Sequence, residues 1–580
     1  MAGGGLDGAG PRPEGRMISA TLNRGRAVAV LVLLFCAPTL TACRTGSSAS
    51  SASSAPSASS GSSTASTFYV SPAGNDKAAG TTPATAWRTL GKVNSAKLTA
   101  GDRVLFKGGG RFTGQLVFTK TDTGDAAHPI EVGTYGSGHA TIVASGGNGS
   151  AIVVYDTAGI SLSGLTVVGQ SSPRPKGIGI NLFNDLAAGH RLSHIVISDV
   201  DVSEFVYGIG IGSGNETSGF RDVRVQDSAL HGNLDDGLVS YANGFSAADP
   251  QYANQDIYIS RVHAYGNPGD PEDSSKNTGN GIVLGNVQDA TIEWSTANDN
   301  GGDGAASQGP VGIWAYDSTG VDIEHNLSYA NHTSNESDGD GFGLDENTSD
   351  SYLQYNLSYN NSGAGYLLYS AQADSAQKAN TVRFNVSSGD GRKSSYYGGI
   401  TLIGELTDIA IYQNTVVMAT RTSGTNPALR LVGGASAVTI RNNLFVTMRG
   451  GPIVAASTAL TTFAARMQGN DYQAATGTWS LTWGSATYAS LAAWRTATGQ
   501  EKVGAQPTGL TVNPQMKGPL LELTATSPAA QDLAAAYALR STSPLLKAGL
   551  NLNRLFGQTT GTAGFAGTSY SATSPNIGAF

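Results

Sequence analysis

A glycine followed by alternating apolar residues recurs along the middle of the chain. The clearest copies are Gly237-Leu-Val-Ser-Tyr241, Gly281-Ile-Val-Leu-Gly285, Gly312-Ile-Trp-Ala-Tyr316, Gly341-Phe-Gly-Leu-Asp345, Gly365-Tyr-Leu-Leu-Tyr369 and Gly399-Ile-Thr-Leu-Ile403. Weaker copies begin at Ala151, Gly177, Gly208 and Ala428, and neighbouring anchors lie between 24 (Gly341 to Gly365) and 44 (Gly237 to Gly281) residues apart. Between them sits a second alternating segment: Asp256-Ile-Tyr-Ile, Ala290-Thr-Ile-Glu, Val321-Asp-Ile-Glu, Ser351-Tyr-Leu-Gln and Ile409-Ala-Ile-Tyr. Period-two alternation predicts short strands with one buried face, and a coarse repeat of such strands predicts a solenoid. The residue after each glycine (Leu238, Ile282, Ile313, Phe342, Tyr366, Ile400) should point inward, and those two and four after it outward.

Turn chemistry selects the kind of solenoid. No segment between anchors sustains a 3.6-residue period, which excludes helical repeats, and no Trp-Asp signature supports propeller blades. Asn326, Asn356, Asn385, Asn414 and Asn442 follow the second strands. Stacked coils would set these amides about 4.8 Å apart, within reach of one another along the stack, and asparagine tolerates the left-handed backbone of a sharp corner. The expected fold is all-β, a right-handed parallel β-helix with an N-terminal cap and a C-terminal closing segment.

The ends of the chain read differently. Arg24 and Arg26 precede the apolar run Ala27 to Leu34, and Leu40-Thr-Ala-Cys43 follows, the pattern of a signal peptide over residues 1–42 with a lipobox that places lipid on Cys43. Residues 43–67 are a Ser/Ala-rich tether. Residues 68–145 hold the cap and first strands, with a short helix expected in Ala86-Trp-Arg-Thr-Leu-Gly-Lys-Val-Asn94. Coils should occupy 146–450, and 451–580 should close the stack, with another short helix near Tyr488 to Thr496. This organisation predicts an extracellular, cell-surface lipoprotein of a bacterium, a monomer that meets the membrane only through Cys43. Of two cysteines, Cys36 falls in the removed segment and Cys43 is lipidated, so the exported domain has no disulfide. The formal net charge is −8, more acidic still without the four basic and two acidic residues of 1–43, which argues against a nucleic-acid partner.

The start (YVSPAGND, AWRTLGKVN, GDRVLFKGG), the coils and the ending (SPLLKAG, NIGAF) resemble secreted parallel β-helix proteins of the pectin-lyase-like superfamily. That resemblance implies the fold and a carbohydrate context, since the superfamily holds lyases, hydrolases, epimerases and tail-spike proteins. A narrower resemblance, to family 9 pectate lyases, rests on Asn233-Leu-Asp-Asp-Gly-Leu238 followed one coil later by Gly279-Asn-Gly-Ile-Val-Leu-Gly285. It implies calcium on Asp235 and Asp236. Val283, however, stands where that family has its catalytic lysine, and Val239 where it has another acid. A valine cannot be a base, so the elimination would need Lys276, Arg392 or Lys393 as a substitute. A plain turn explains Asp235-Asp236-Gly237 equally well.

The outward rows carry the remaining chemistry. Tyr241, Trp314, Tyr316, Tyr369 and Arg430 are expected there as a platform for sugar rings, which pair an apolar face with a polar rim; covering loops are the alternative. Asp317, Asp338, Asp340, Asp345 and Glu346 converge on the same stretch. Asp317 and Asp345 lie at nearly equivalent positions of neighbouring coils, and their carboxyls are expected roughly 5–8 Å apart, with Asp340 as a third acid. A pair at that separation suits glycosidic hydrolysis without fixing its stereochemistry. Turn formation and cation binding are alternative roles for the same residues. The long connections 243–256, 266–280 and 389–398 should wall the groove. The sequence thus predicts an extracellular polysaccharide-degrading glycoside hydrolase that requires no cofactor, with calcium left open. A uronate-type polysaccharide lyase and a non-catalytic carbohydrate-binding surface protein are the alternatives.

Overall fold

The computed structural model describes residues 65–580 except 146–148, 171–174, 372–374, 376, 419–425, 449 and 519–534. The signal segment, Cys43 and nearly all of the tether lie outside the described residues. The chain winds into a right-handed parallel β-helix of about 12 turns. One coil shows the plan: Val311–Tyr316 on the first face, Thr319–Glu324 on the second and Leu327–Tyr329 on the third. The next coil, Asp340–Leu344, Tyr352–Gln354 and Leu357–Tyr359, lies on it in register, with Ile313 opposite Phe342, Ile323 opposite Leu353 and Ser328 opposite Ser358. First-face strands form a 14-stranded sheet. The other two columns join into one 25-stranded sheet, because Ile160–Val168 and Arg191–Ser203 run through the bend between them.

The inward row is the one the glycine cassette marks. Leu238, Ile282, Ile313, Phe342, Tyr366 and Ile400 are fully buried. Tyr366 keeps its hydroxyl satisfied inside the core by donating to the carbonyls of Asn356 (2.7 Å) and Val386 (2.9 Å).

The amide stack is present, with one correction. Its members are Asn326, Asn356, Asn385, Asn414, Asn443 and Asn470, each backbone N–H donating to the next Oδ1 at 2.9–3.0 Å. Asn443 belongs to the stack; Asn442 instead takes the left-handed corner (φ 53°), in a column with Trp294, His325, Tyr355, Phe384 and Gln413. The asparagines are therefore not the corner residues: the residue before each one is, and the rings at those corners stack at centroid distances of 4.5–5.3 Å. A second buried stack, Asn233, Asn267, Asn300, Asn331 and Asn361, runs along the corner that leads from the third face back to the first. Each stack ends on an acid, Asp390 and Glu501, since its last position only has to accept.

Both ends are covered. Leu90–Asn94, capped by the Thr89 hydroxyl, buries Leu90 and Val93 on the first coil. Leu491–Thr498, capped by Ser490, sets Trp494 against Tyr472 and Trp483. Coils begin earlier and end later than the expected 146 and 450. Leu116–Phe118 already pairs with Ile152–Tyr155, and Val454–Ala456 and Leu481–Trp483 continue the first face without the glycine cassette. Met516 and the chain from Tyr537 onward lie along the third face, packing Tyr537, Leu545, Phe565 and Ile577 on Leu357, Val386, Val417 and Leu444. No helix among the described residues is long and apolar enough to cross a membrane.

Candidate active site

Parallel register converts the outward positions of the first face into straight rows. One row runs Gly210, Val239, Val283, Trp314, Gly343, Leu367, Thr401, Arg430. Beside it, Tyr207, Asp236 and Asn280 are successive neighbours, as are Val311 and Asp340. Tyr241 and Tyr316 lie flat along the wall: a Cβ at Gly285 would meet Tyr316 Cζ at 2.3 Å, so only glycine admits the ring there.

The open aromatic platform needs correcting. Trp314 is only 7% exposed, packed among Val239, Val283 and Val311 with Tyr207, Tyr241 and Tyr316 around it, and its Nε1 donates to Asn280 Oδ1 at 3.1 Å. The two valines where a lyase would carry an acid and a lysine are thus packing residues. Tyr241, Tyr316 and Tyr369 are half-buried, and Arg430, also half-buried, lies over the Tyr396 ring at 5.7 Å and donates to the Ser395 carbonyl at 3.1 Å.

At one end of the row, Asp235 and Asp236 are buried beside Lys276, which the connection 266–280 brings over the groove. Lys276 Nζ contacts both Asp235 Oδ2 and the Tyr207 hydroxyl, while Asn280 Nδ2 donates to Asp236 Oδ1 at 2.8 Å. Burial alone would lower the lysine's pKa, but the Tyr207 oxygen and the two carboxyls outweigh it and hold the group above its ordinary value. Burial, then the neighbouring Asp235, pushes Asp236 well up. Lys276 meets Asp235 Oδ2 and Asn280 meets Asp236 Oδ1, while Asp235 Oδ1 is buried without a hydrogen-bond partner, and no group of three or more His, Cys, Asp or Glu side chains placed to hold a metal forms among the described residues.

Further along lies the main acidic cluster. Asp338 Oδ1 accepts from the Tyr397 hydroxyl (2.7 Å) and its Oδ2 from the Gly309 N–H (2.9 Å). Asp345 Oδ1 is buried with no hydrogen bond, and burial, then Asp338 and Glu346, raises its pKa well above the carboxylate range. Asp340 is fully buried, its Oδ1 accepting from the Ala364 N–H; burial and Asp338 raise it likewise. Asp317 does not face Asp345 in register. Ala315 pairs with Leu344, which sets Tyr316 opposite Asp345, while the Asp317 N–H donates to the Glu346 carbonyl. Asp317 itself is left-handed (φ 46°) and accepts from Asn347 Nδ2 at 2.6 Å. Residue reading alone gave no partner for Asp338; Tyr397 reaches it from a connection 59 residues away, and the length of 389–398 was the available signal.

No protein-family model matches this sequence. Over 90 residues, 14% of this chain, it is 39% identical to a lacto-N-biosidase of Bifidobacterium longum subsp. longum, and it spans 6% of that protein's length. Among solved structures, it is similar to a GH136 lacto-N-biosidase from Eubacterium ramulus (18% identity, TM-score 0.48, 67% of this chain and 65% of that one). It is also similar to the pectate lyase Pel9A (16% identity, TM-score 0.37, 90% and 97% covered).

Proposed function

We propose that this chain is a glycoside hydrolase acting on a glycan laid along the first face, with Asp338 and Asp345 as its working carboxyls. The carrying observation is the contrast between them. Burial raises the pKa of both, but Asp338 has a donor on each oxygen that works against the shift, whereas Asp345, with Oδ1 unbonded, is raised well above the carboxylate range by burial and then by Asp338. Two acids driven apart in this way divide the labour of glycoside cleavage. Asp345 protonates the leaving oxygen, and Asp338, held in place by Tyr397, acts as base or nucleophile. Asp340, closed off from solvent, acts only through its neighbours. Asp317 sits at the rim beside this pair, and half-buried Tyr316 and Tyr369 flank the sugar. The short stretch shared with a protein named lacto-N-biosidase supports a hydrolase. An elimination is less well served by these residues, because Val283 is apolar and Lys276 is held above its ordinary pKa by Tyr207 and its carboxyl neighbours.

The test is release of reducing ends from a panel of plant, algal and bacterial glycans, read in parallel for unsaturated products. Asp338→Asn and Asp345→Asn are each expected to lower turnover by about a thousandfold or more, on the scale of losing a general acid or nucleophile, with thermal unfolding unchanged. Full turnover in both variants, or an unsaturated product, would reject the proposal. Loss of turnover in Asp317→Asn with Asp338→Asn fully active would return the pair to Asp317 and Asp345.

A further inference from the structure

Away from the acidic groove, on the outer side of the second face near its C-terminal end, the surface opens into a cavity of about 460 Å³. Its floor is low because Ala410 and Thr439 are register neighbours there. Arg466 continues that row as the register neighbour of Thr439, and Arg441 stands two residues along Thr439's own strand. Arg441 is 8% exposed, donates to Gln468 Oε1 (3.0 Å) and Gln558 Oε1 (3.2 Å), and lies 3.8 Å over the Phe556 ring. Arg466 is exposed and donates to the Thr462 carbonyl at 3.1 Å. Neither guanidinium has a carboxylate within 4.0 Å among the described residues, although Asp408 also lines the cavity. Burial and the Arg466 charge lower the Arg441 pKa to about 10, which leaves Arg441 cationic at neutral pH. On the remaining wall Phe463 is 76% exposed.

Two like charges held together, one of them buried, are unfavourable until an anion joins them, and guanidinium forks match the paired oxygens of a carboxylate. A bare ring beside them offers a stacking face for the apolar side of a pyranose. On a chain of formal charge −8, this is a local basic spot with an aromatic wall and room for a small ring. We propose that this cavity binds an acidic sugar residue, its carboxylate between Arg441 and Arg466 and its ring on Phe463. The site lies apart from the groove and does not depend on the groove's chemistry.

The experiment is calorimetric titration of the exported domain, at low ionic strength, with glucuronate, glucose and inorganic sulfate. Glucuronate should bind and glucose should not. Arg466→Gln should weaken glucuronate at least about tenfold, the scale of a lost charge-assisted pair, and Phe463→Ala several-fold. Both side chains are exposed, so both variants should keep the wild-type unfolding temperature. Absence of glucuronate binding by the wild type, or equal binding by Arg466→Gln, would overturn the assignment. Sulfate binding as tightly as glucuronate, with Phe463→Ala unaffected, would mean a bare oxoanion site and would overturn the sugar reading.

Discussion

Asp390 shows how a single carboxyl is tuned by its place in a stack. It accepts from the Asn361 N–H (3.0 Å) and Nδ2 (2.9 Å) and from the Ser387 hydroxyl (2.7 Å), yet burial still lifts its pKa to about 6. One coil earlier Asn361 meets Ser358 with an amide in the same arrangement, so the site accommodates asparagine. In the unfolded chain the group titrates near 3.9. Between that value and about 6 the folded state holds the extra proton, so stability falls as pH rises through this window and the loss is complete above it. Asp390→Asn removes that loss: it should be near neutral at pH 4 and stabilising by roughly 1–3 kcal/mol at pH 8, read by urea unfolding at both. The same logic separates what the sequence disclosed about acids from what it withheld. Spacing brought Asp338, Asp340 and Asp345 to one stretch, but it could not say that Tyr397 would satisfy Asp338, because that contact depends on the path of an aperiodic connection.

At the scale of the element, the asparagine stack is the vertical tie between coils. Asn356 Oδ1 receives the Asn326 N–H (2.9 Å) and Nδ2 (3.2 Å), and Asn356 Nδ2 reaches back to the Ile323 carbonyl at 2.7 Å. Asn356→Ala strands these groups in a dry interior, and each unsatisfied group costs about 1–3 kcal/mol. A total loss of roughly 2–5 kcal/mol is expected in denaturant unfolding, with the activity of the remaining folded fraction unchanged. Strands and inward rows were legible from the cassette because burial on one face enforces period two. The second stack from Asn233 to Asn361 was not, since its members precede no uniform strand pattern. Nor was the burial of Trp314: alternation gives the direction of a side chain and says nothing of how the valines and tyrosines of neighbouring coils pack around it.

For the whole molecule, the coils form a stiff rod whose first strand is Thr67–Val70. Thr67–Val70 pairs with Arg103–Lys107 in the first coil, so a lipid on Cys43 would hold the groove a tether's length from the membrane. Cys43→Ser should move the protein from the membrane fraction to the medium with undiminished specific activity, scored by fractionation and immunoblot; continued membrane retention would count against the anchor. The rod also has a polarity. Every asparagine passes its N–H groups to the coil after it, and only the last member of each stack, Asp390 or Glu501, has nothing to hand on. Duplication of a coil anywhere upstream of these acids preserves the chain of donors and acceptors. Coils continue past Asp390, so that stack ends within the rod, whereas another member beyond Glu501 would demand first that its carboxylate become an amide. Such a protein can grow longer from within but not past Glu501, and kin of different lengths should vary in the number of turns before that terminator.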